Sequence, residues 1–167
     1  LEKLGAKTLK RMPRPNFVHE NMIQITGRES IIFLDLVMAE NSKVLKTPKQ
    51  GLNQSVSPDH TSIAYTLDNN IYLSDADGNS IALTQDSNPE IVNGQAVSRS
   101  EFGISGGLFW SPTGSSLAYY TKDESKVANY PLVHTNTRIA ETELIKYPMA
   151  GEGTEQVWVK IYSRKHD

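Results

Sequence analysis

The chain has 167 residues, 38% hydrophobic and 22% charged, enough for one medium-sized domain with a core. Lys and Arg total 17 against 19 acidic residues, and the net charge of −2 argues against a binder that works by neutralising nucleic-acid phosphates. Cysteine is absent, which excludes disulfides, zinc–thiolate sites and thiol catalysis, and no stretch approaches the roughly 18 apolar residues of a membrane helix.

Residue 1 is Leu, and "LEKLGAKTLKRMPRPN" lacks an apolar core of signal-peptide length. The chain is therefore expected to be a fragment, with any targeting signal outside it. Residues 1–16 read as a lead, either a short helix over Glu2 to Leu9 or disorder, ended by Pro13 and Pro15. From Phe17 onward short strands alternate with turns. "SIIFLDL", "NIYLSD", "SIAYT", "SLAYY" and "QVWVKIY" carry β-branched and aromatic residues, several in strict alternation. Asp77-Gly78 supplies the positive φ of a tight hairpin between "NIYLSD" and "SIALT".

Internal repetition fixes the expected architecture. "SPDHTSIAYT" (Ser57 to Thr66) matches "SPTGSSLAYY" (Ser111 to Tyr120) in Ser, Pro, Ser, Ala and Tyr, at a spacing of roughly 50 residues, about one four-stranded propeller blade. A second echo pairs "IFLDL" and "KVLKT" with "IYLSD" and "SIALT". The fold class expected is all-β: two to three antiparallel four-stranded blades, a partial slice of a β-propeller. The boundaries are an incomplete blade over about 17–50, a blade over about 51–84, and a loop and blade over about 85–167. Such a slice leaves open strand edges, so a homodimer through them is one expected partner.

Three motifs invite chemistry. Gly103-Ile104-Ser105-Gly106-Gly107 satisfies the rule for a hydrolase nucleophile. A nucleophile elbow needs a helix after the serine, and "GGLFWSPTG" leaves no room for one. Ser105 is read as a bend residue, and no catalytic residue is assigned in this chain. "SDADGN" suggests a calcium loop, but Gly78 falls too early for the required glycine, Asp86 stands where a Glu is required, and strands flank it in place of helices, so it is read as a hairpin turn. No metal and no cofactor are expected. Asp123-Glu124 is read as an acidic pair that caps a strand end or pairs with Lys and Arg from a neighbouring loop, and Phe109, Trp110, Tyr119 and Tyr120 as packing between blades.

Asn93-Gly94, Glu101-Phe102-Gly103 and Phe109-Trp110-Ser111-Pro112-Thr113-Gly114 follow one another in order. With "LAYYTKDESKVANYPLV" and "IKYPMAGEGTEQVWVKIY", this succession resembles the N-terminal propeller region of the dipeptidyl peptidase IV group, in the prolyl oligopeptidase family. The resemblance spans roughly Gly51 to Tyr162.

It implies a parent with a propeller and a C-terminal α/β-hydrolase domain that carries the Ser-Asp-His triad. The activity implied is release of Xaa-Pro or Xaa-Ala dipeptides from free N-termini, in the periplasm, in secreted form or at the cell surface. The parent would be a serine-type peptidase, while this chain alone would not be an enzyme. The propeller's implied part is to gate the peptide substrate and to hold its amine by glutamates. Matched residue by residue, Glu101 takes the last place of the family's glutamate run. Ser100 stands where the second anchoring Glu belongs and Arg99 where the run begins, in a loop about two residues shorter than the family pattern. A reading of another class is a non-enzymatic, TolB-like propeller that serves as a scaffold for protein binding. A hydrolase elbow downstream in the reading frame separates the two.

Overall fold

The computed structural model describes residues 14–164; the expected lead helix over Glu2 to Leu9 lies outside them. Among the described residues the architecture is all-β and antiparallel throughout, with two single-turn 3₁₀ segments. The first sheet runs β1 (Asn16–His19), β2 (Met22–Thr26), β3 (Ser30–Asp35) and β4 (Lys43–Lys46), in spatial order. The second repeats it with β5 (Leu52–Val56), β6 (Ile63–Leu67), β7 (Asn70–Ser74) and β8 (Ser80–Ala82). The first sheet has four strands, where the sequence reading expected an incomplete blade. β1 is short and mostly exposed, which blurs the alternation that marks a strand.

The third sheet is built from β9 (Ile91–Asn93), β10 (Leu108–Trp110), β11 (Ser116–Asp123) and β14 (Gln156–Ser163). Between β11 and β14 the chain leaves as a separate hairpin, β12 (Asn129–His134) and β13 (Glu141–Lys146). That hairpin was not resolved as its own element in the sequence, where the whole stretch read as one blade. None of the sheets closes on itself.

The repeated Ser-Pro turn recurs as identical hydrogen bonding. Ser57 N–H donates to the Ser62 carbonyl and Ser62 N–H to Ser57 Oγ, while Ser111 and Ser116 do the same. The fourth residue of each turn is left-handed, His60 with φ 55° and Gly114 with φ 72°.

Strand alternation distributes the core between blades. On β6, Ile63 joins Ile31, Phe33 and Leu45 of the first sheet, and Ala64 faces the other way. There Ala64, Ile71 and Leu73 pack on Leu117 and Tyr119 of the third sheet, with Leu108 and Trp110 at the margin. The alanine lets the two sheets approach, as its place in the repeat suggested. Trp110 and Tyr119 do pack between blades. Phe109 and Tyr120 instead stack edge-to-face at 5.3 Å on the opposite side, where Phe109 stays 44% exposed.

A polar clamp crosses the same interface. Arg164, just after β14, donates to Ser62 Oγ at 2.9 Å and to Asp59 Oδ2 at 3.3 Å, and its guanidinium lies over the Trp110 ring. Trp110 Nε1 donates to the Ser55 carbonyl at 3.2 Å. Burial pushes the Asp59 carboxyl up, but hydrogen bonds from Ser57 and Thr61 and the Arg164 charge outweigh it, so its pKa is lowered. No helix among the described residues is long and apolar enough to cross a membrane.

The clamp yields a stability prediction. Arg164→Ala should weaken the second–third sheet interface by about 1–3 kcal/mol, read as faster amide exchange in β10 and β11 of the intact protein. Asp59 has a folded pKa below its unfolded one. Its contribution is complete above about pH 4 and is lost as pH falls through the depressed folded value. Asp59→Asn should therefore flatten the acid loss of protection in that window, and an unchanged acid profile would remove the clamp from the account.

Candidate functional site

The third sheet contains an interruption that makes a site. β9 and β10 pair end to end with the same edge of β11, Asn93 opposite Thr121 and Leu108 opposite Tyr119. Between them, Gly94 N–H donates to the Tyr120 carbonyl at 2.8 Å, and Tyr120 N–H donates to the Gly107 carbonyl at 3.1 Å. One strand thus runs from Ile91 to Trp110, and residues 95–106 are extruded from it.

Both stems of the extrusion need glycine. A Cβ on Gly107 would collide with the Gln95 carbonyl group, because the two stems touch there. Gly94 has φ 73°, and a Cβ on it would meet Ile71 at 2.8 Å. Below this neck sits a polar cluster centred on the buried Asn93 and Thr121. The Asn93 amide donates to Asp86 Oδ2 at 2.8 Å and accepts from Thr121 Oγ at 2.7 Å. Gln95 Nε2 donates to Asn69 Oδ1 at 3.0 Å. The extrusion is therefore rooted in the β6–β7 turn of the second sheet as well as in its own.

At its far end the backbone is strained. Ser98, Arg99 and Ser100 are left-handed in succession, with φ of 50°, 53° and 62°, and Phe102 follows at 56°. Each such residue costs about 1–2 kcal/mol, so contacts must hold the turn. Ser98 N–H donates to Glu155 Oε1 at 2.7 Å, and Arg99 Nη1 to the Lys146 carbonyl at 2.8 Å. The Arg99 guanidinium lies 5.0 Å from the Tyr147 ring centre. Glu101 N–H donates to the Ser98 carbonyl at 2.9 Å and closes the turn.

Glu101 then stands, exposed, on a cleft of about 320 Å³ with Arg99, Tyr147, Pro148, Glu155 and Val157. A second cleft of about 280 Å³ shares Arg99, Pro148 and Glu155 and adds Lys122, Glu124 and Lys146. The charges of this region are mostly matched. Lys122 pairs with Glu124 at 2.7 Å and Lys146 with Glu90 at 2.7 Å. Glu155 is taken by Ser98, with Lys122 at 3.9 Å. Among the described residues, Glu101 enters no ion pair. An open carboxylate beside Tyr147, Pro148 and Val157 suits a cation that carries apolar substituents.

The other sequence candidates sit elsewhere in the chemistry. Ser105 is exposed, and the chain passes from it through Gly106 and Gly107 straight into β10, a glycine bend entering a strand. Asp75 accepts from Asn79 N–H and from Asn79 Nδ2, each at 2.9 Å, and these bonds lower its pKa. Asp123 accepts from Ser125 N–H at 2.8 Å, and Glu124 takes Lys122. His60 stacks on Phe33 near His19, and His134 meets Glu143 in the β12–β13 hairpin. His166 lies outside the described residues. Ser100 is exposed in the left-handed turn. The sequence did not single out Glu155 or Tyr147. Both lie in the "KYPMAGEGTEQ" stretch, and only folding brings them to the extrusion.

Residues 20–167 match a family model described as the dipeptidyl peptidase IV (DPP IV) N-terminal region. Dipeptidyl aminopeptidase B of Saccharomyces cerevisiae is 31% identical over 118 residues, which is 65% of this chain and 14% of that protein. A solved Bacteroides ovatus structure described as a dipeptidyl aminopeptidase IV is 34% identical with a TM-score of 0.76, covering 97% of this chain and 22% of that one. Porphyromonas gingivalis dipeptidyl peptidase 4 shares the fold at 23% identity and a TM-score of 0.62, over 91% of this chain and 22% of that one. The chain thus spans only a small part of the relatives it matches.

The neck gives a direct comparison of neighbouring glycines. Gly107→Ala should destabilise the third sheet by more than about 2 kcal/mol, because the neck must open. Gly106→Ala meets open space without a positive φ, so it should stay within about 0.5 kcal/mol of the parent. Equal effects in denaturant titrations would show that the stems do not touch.

Proposed function

The chain belongs to the dipeptidyl peptidase IV N-terminal-region family, and from that premise we propose that it forms the non-catalytic propeller portion of a serine dipeptidyl aminopeptidase. Its part is to admit a peptide and to hold the peptide's free N-terminal ammonium with the Glu101 carboxylate. A C-terminal α/β-hydrolase domain of the same parent supplies the triad, and Xaa-Pro or Xaa-Ala dipeptides leave. The parent works in the periplasm, in secreted form or at the cell surface.

One observation carries the reading. Among the described residues, Glu101 is the cleft carboxylate left outside the ion pairs, presented on a turn that the fold strains to hold. An exopeptidase needs a fixed distance between the substrate's amine and the nucleophile. A carboxylate on a rigidly rooted loop provides that register, and its bond to an ammonium strengthens where water is restricted. With Ser100 in place of a second glutamate, amine binding rests on one carboxylate, so less directional control is expected. The apolar wall of Tyr147, Pro148 and Val157 suits the side chain of the first substrate residue.

The full-length protein tests this with dipeptide–chromophore substrates. Glu101→Gln should raise KM for free-amine substrates about tenfold and change kcat little, since the contact is made equally in ground and transition states. An unchanged KM would remove Glu101 from the site. Ser105→Ala should leave turnover as it is, and its loss would return Ser105 to candidacy as the nucleophile.

A further inference from the structure

We propose that Glu155 is a positioning residue that aims Glu101 by way of Ser98. The inference rests on the amine-anchoring reading of Glu101 and goes beyond it. Ser98 is bonded on both sides of its own residue. Its N–H donates to Glu155 Oε1 at 2.7 Å, and its carbonyl accepts from Glu101 N–H at 2.9 Å. A single left-handed residue thus joins the carboxylate of Glu155 to the backbone of Glu101.

Glu155 is placed to bear this load. It directly precedes β14, whose first residue, Gln156, is registered opposite Asp123 of β11. Its side chain is 11% exposed, and its second oxygen lies 3.9 Å from Lys122 Nζ, itself on β11. Lys122 is tied in turn to Glu124 at 2.7 Å. The acceptor is therefore fixed by the sheet, not by the loop it holds. A charged acceptor on a backbone N–H is a strong hydrogen bond, and it opposes the tendency of Ser98, Arg99 and Ser100 to leave the left-handed region. Without it the turn relaxes, and Glu101, three residues along, changes direction.

Two readouts on the full-length protein test this. Glu155→Ala should raise KM for free-amine dipeptide–chromophore substrates about tenfold with kcat within about threefold, and Glu155→Gln, which keeps an acceptor oxygen, should restore most of the loss. In a Glu101→Gln background, Glu155→Ala should add nothing further, because it acts through Glu101. Additive effects, or a fall in kcat at constant KM, overturn the proposal. Independently of activity, hydrogen exchange of the Ser98 amide should accelerate in Glu155→Ala. Unchanged Ser98 exchange overturns the proposal whatever Glu101→Gln does, whereas an unchanged KM in Glu101→Gln alone sinks the anchoring reading. Should Glu155→Ala fail to accumulate, Glu155→Asp, one methylene shorter, carries the same tests.

Discussion

The contact between Gly107 and the Gln95 carbonyl group is the constraint on which the site depends. A β-strand can extrude a loop and resume its ladder only if the two stems come within backbone contact of each other. Here Tyr120 on β11 bonds both stems, to Gly94 through its carbonyl and to Gly107 through its N–H. Side chains on the stems would push them apart and open the ladder between β9 and β10. With the neck closed, the loop is delivered at a fixed place on the sheet edge, and its internal strain is held by contacts from the end of the separate β12–β13 hairpin and from Glu155 beside β14.

Those contacts require the β12–β13 hairpin to leave and return at the right height. Lys146, at the end of β13, offers its carbonyl to Arg99, and Tyr147 offers its ring. Glu155, just before β14, takes the Ser98 amide. The insertion is thus more than a length of chain between two strands, because its returning limb, from Lys146 to Glu155, braces the extrusion. The rooting of Asn93 and Gln95 on the β6–β7 turn ties the site to the second sheet. The Arg164 clamp and the Ala64 approach keep that sheet in place. A change at the interface of the second and third sheets should be felt at Glu101, since they share one set of anchors.

Much of the fold was legible in the residues because its causes are local. The Ser57 and Ser111 turns repeat their hydrogen bonds because Ser, Pro and a left-handed fourth residue dictate them within a few positions. Ala64 sits in the tight interface that its small side chain suggested. The first blade was under-counted, since β1 is too short and too exposed to show its alternation. Phe109 and Tyr120 were grouped with Trp110 and Tyr119, although neighbouring residues on a strand must face opposite ways.

The sequence by itself determined the all-β class, the blade repeat and the bend character of the Ser105 stretch, because each follows from residue type within a short window, whereas Glu101 was singled out only through the family resemblance. Tertiary structure alone decided that residues 95–106 leave and rejoin a single strand, that three residues beside Glu101 are left-handed, and that Glu155 and Tyr147 hold them there. These facts belong to pairings such as Ser98 with Glu155 and Arg99 with Tyr147, between residues far apart in the chain. No local propensity encodes such a pairing; it exists only once β11 and β14 have set their register.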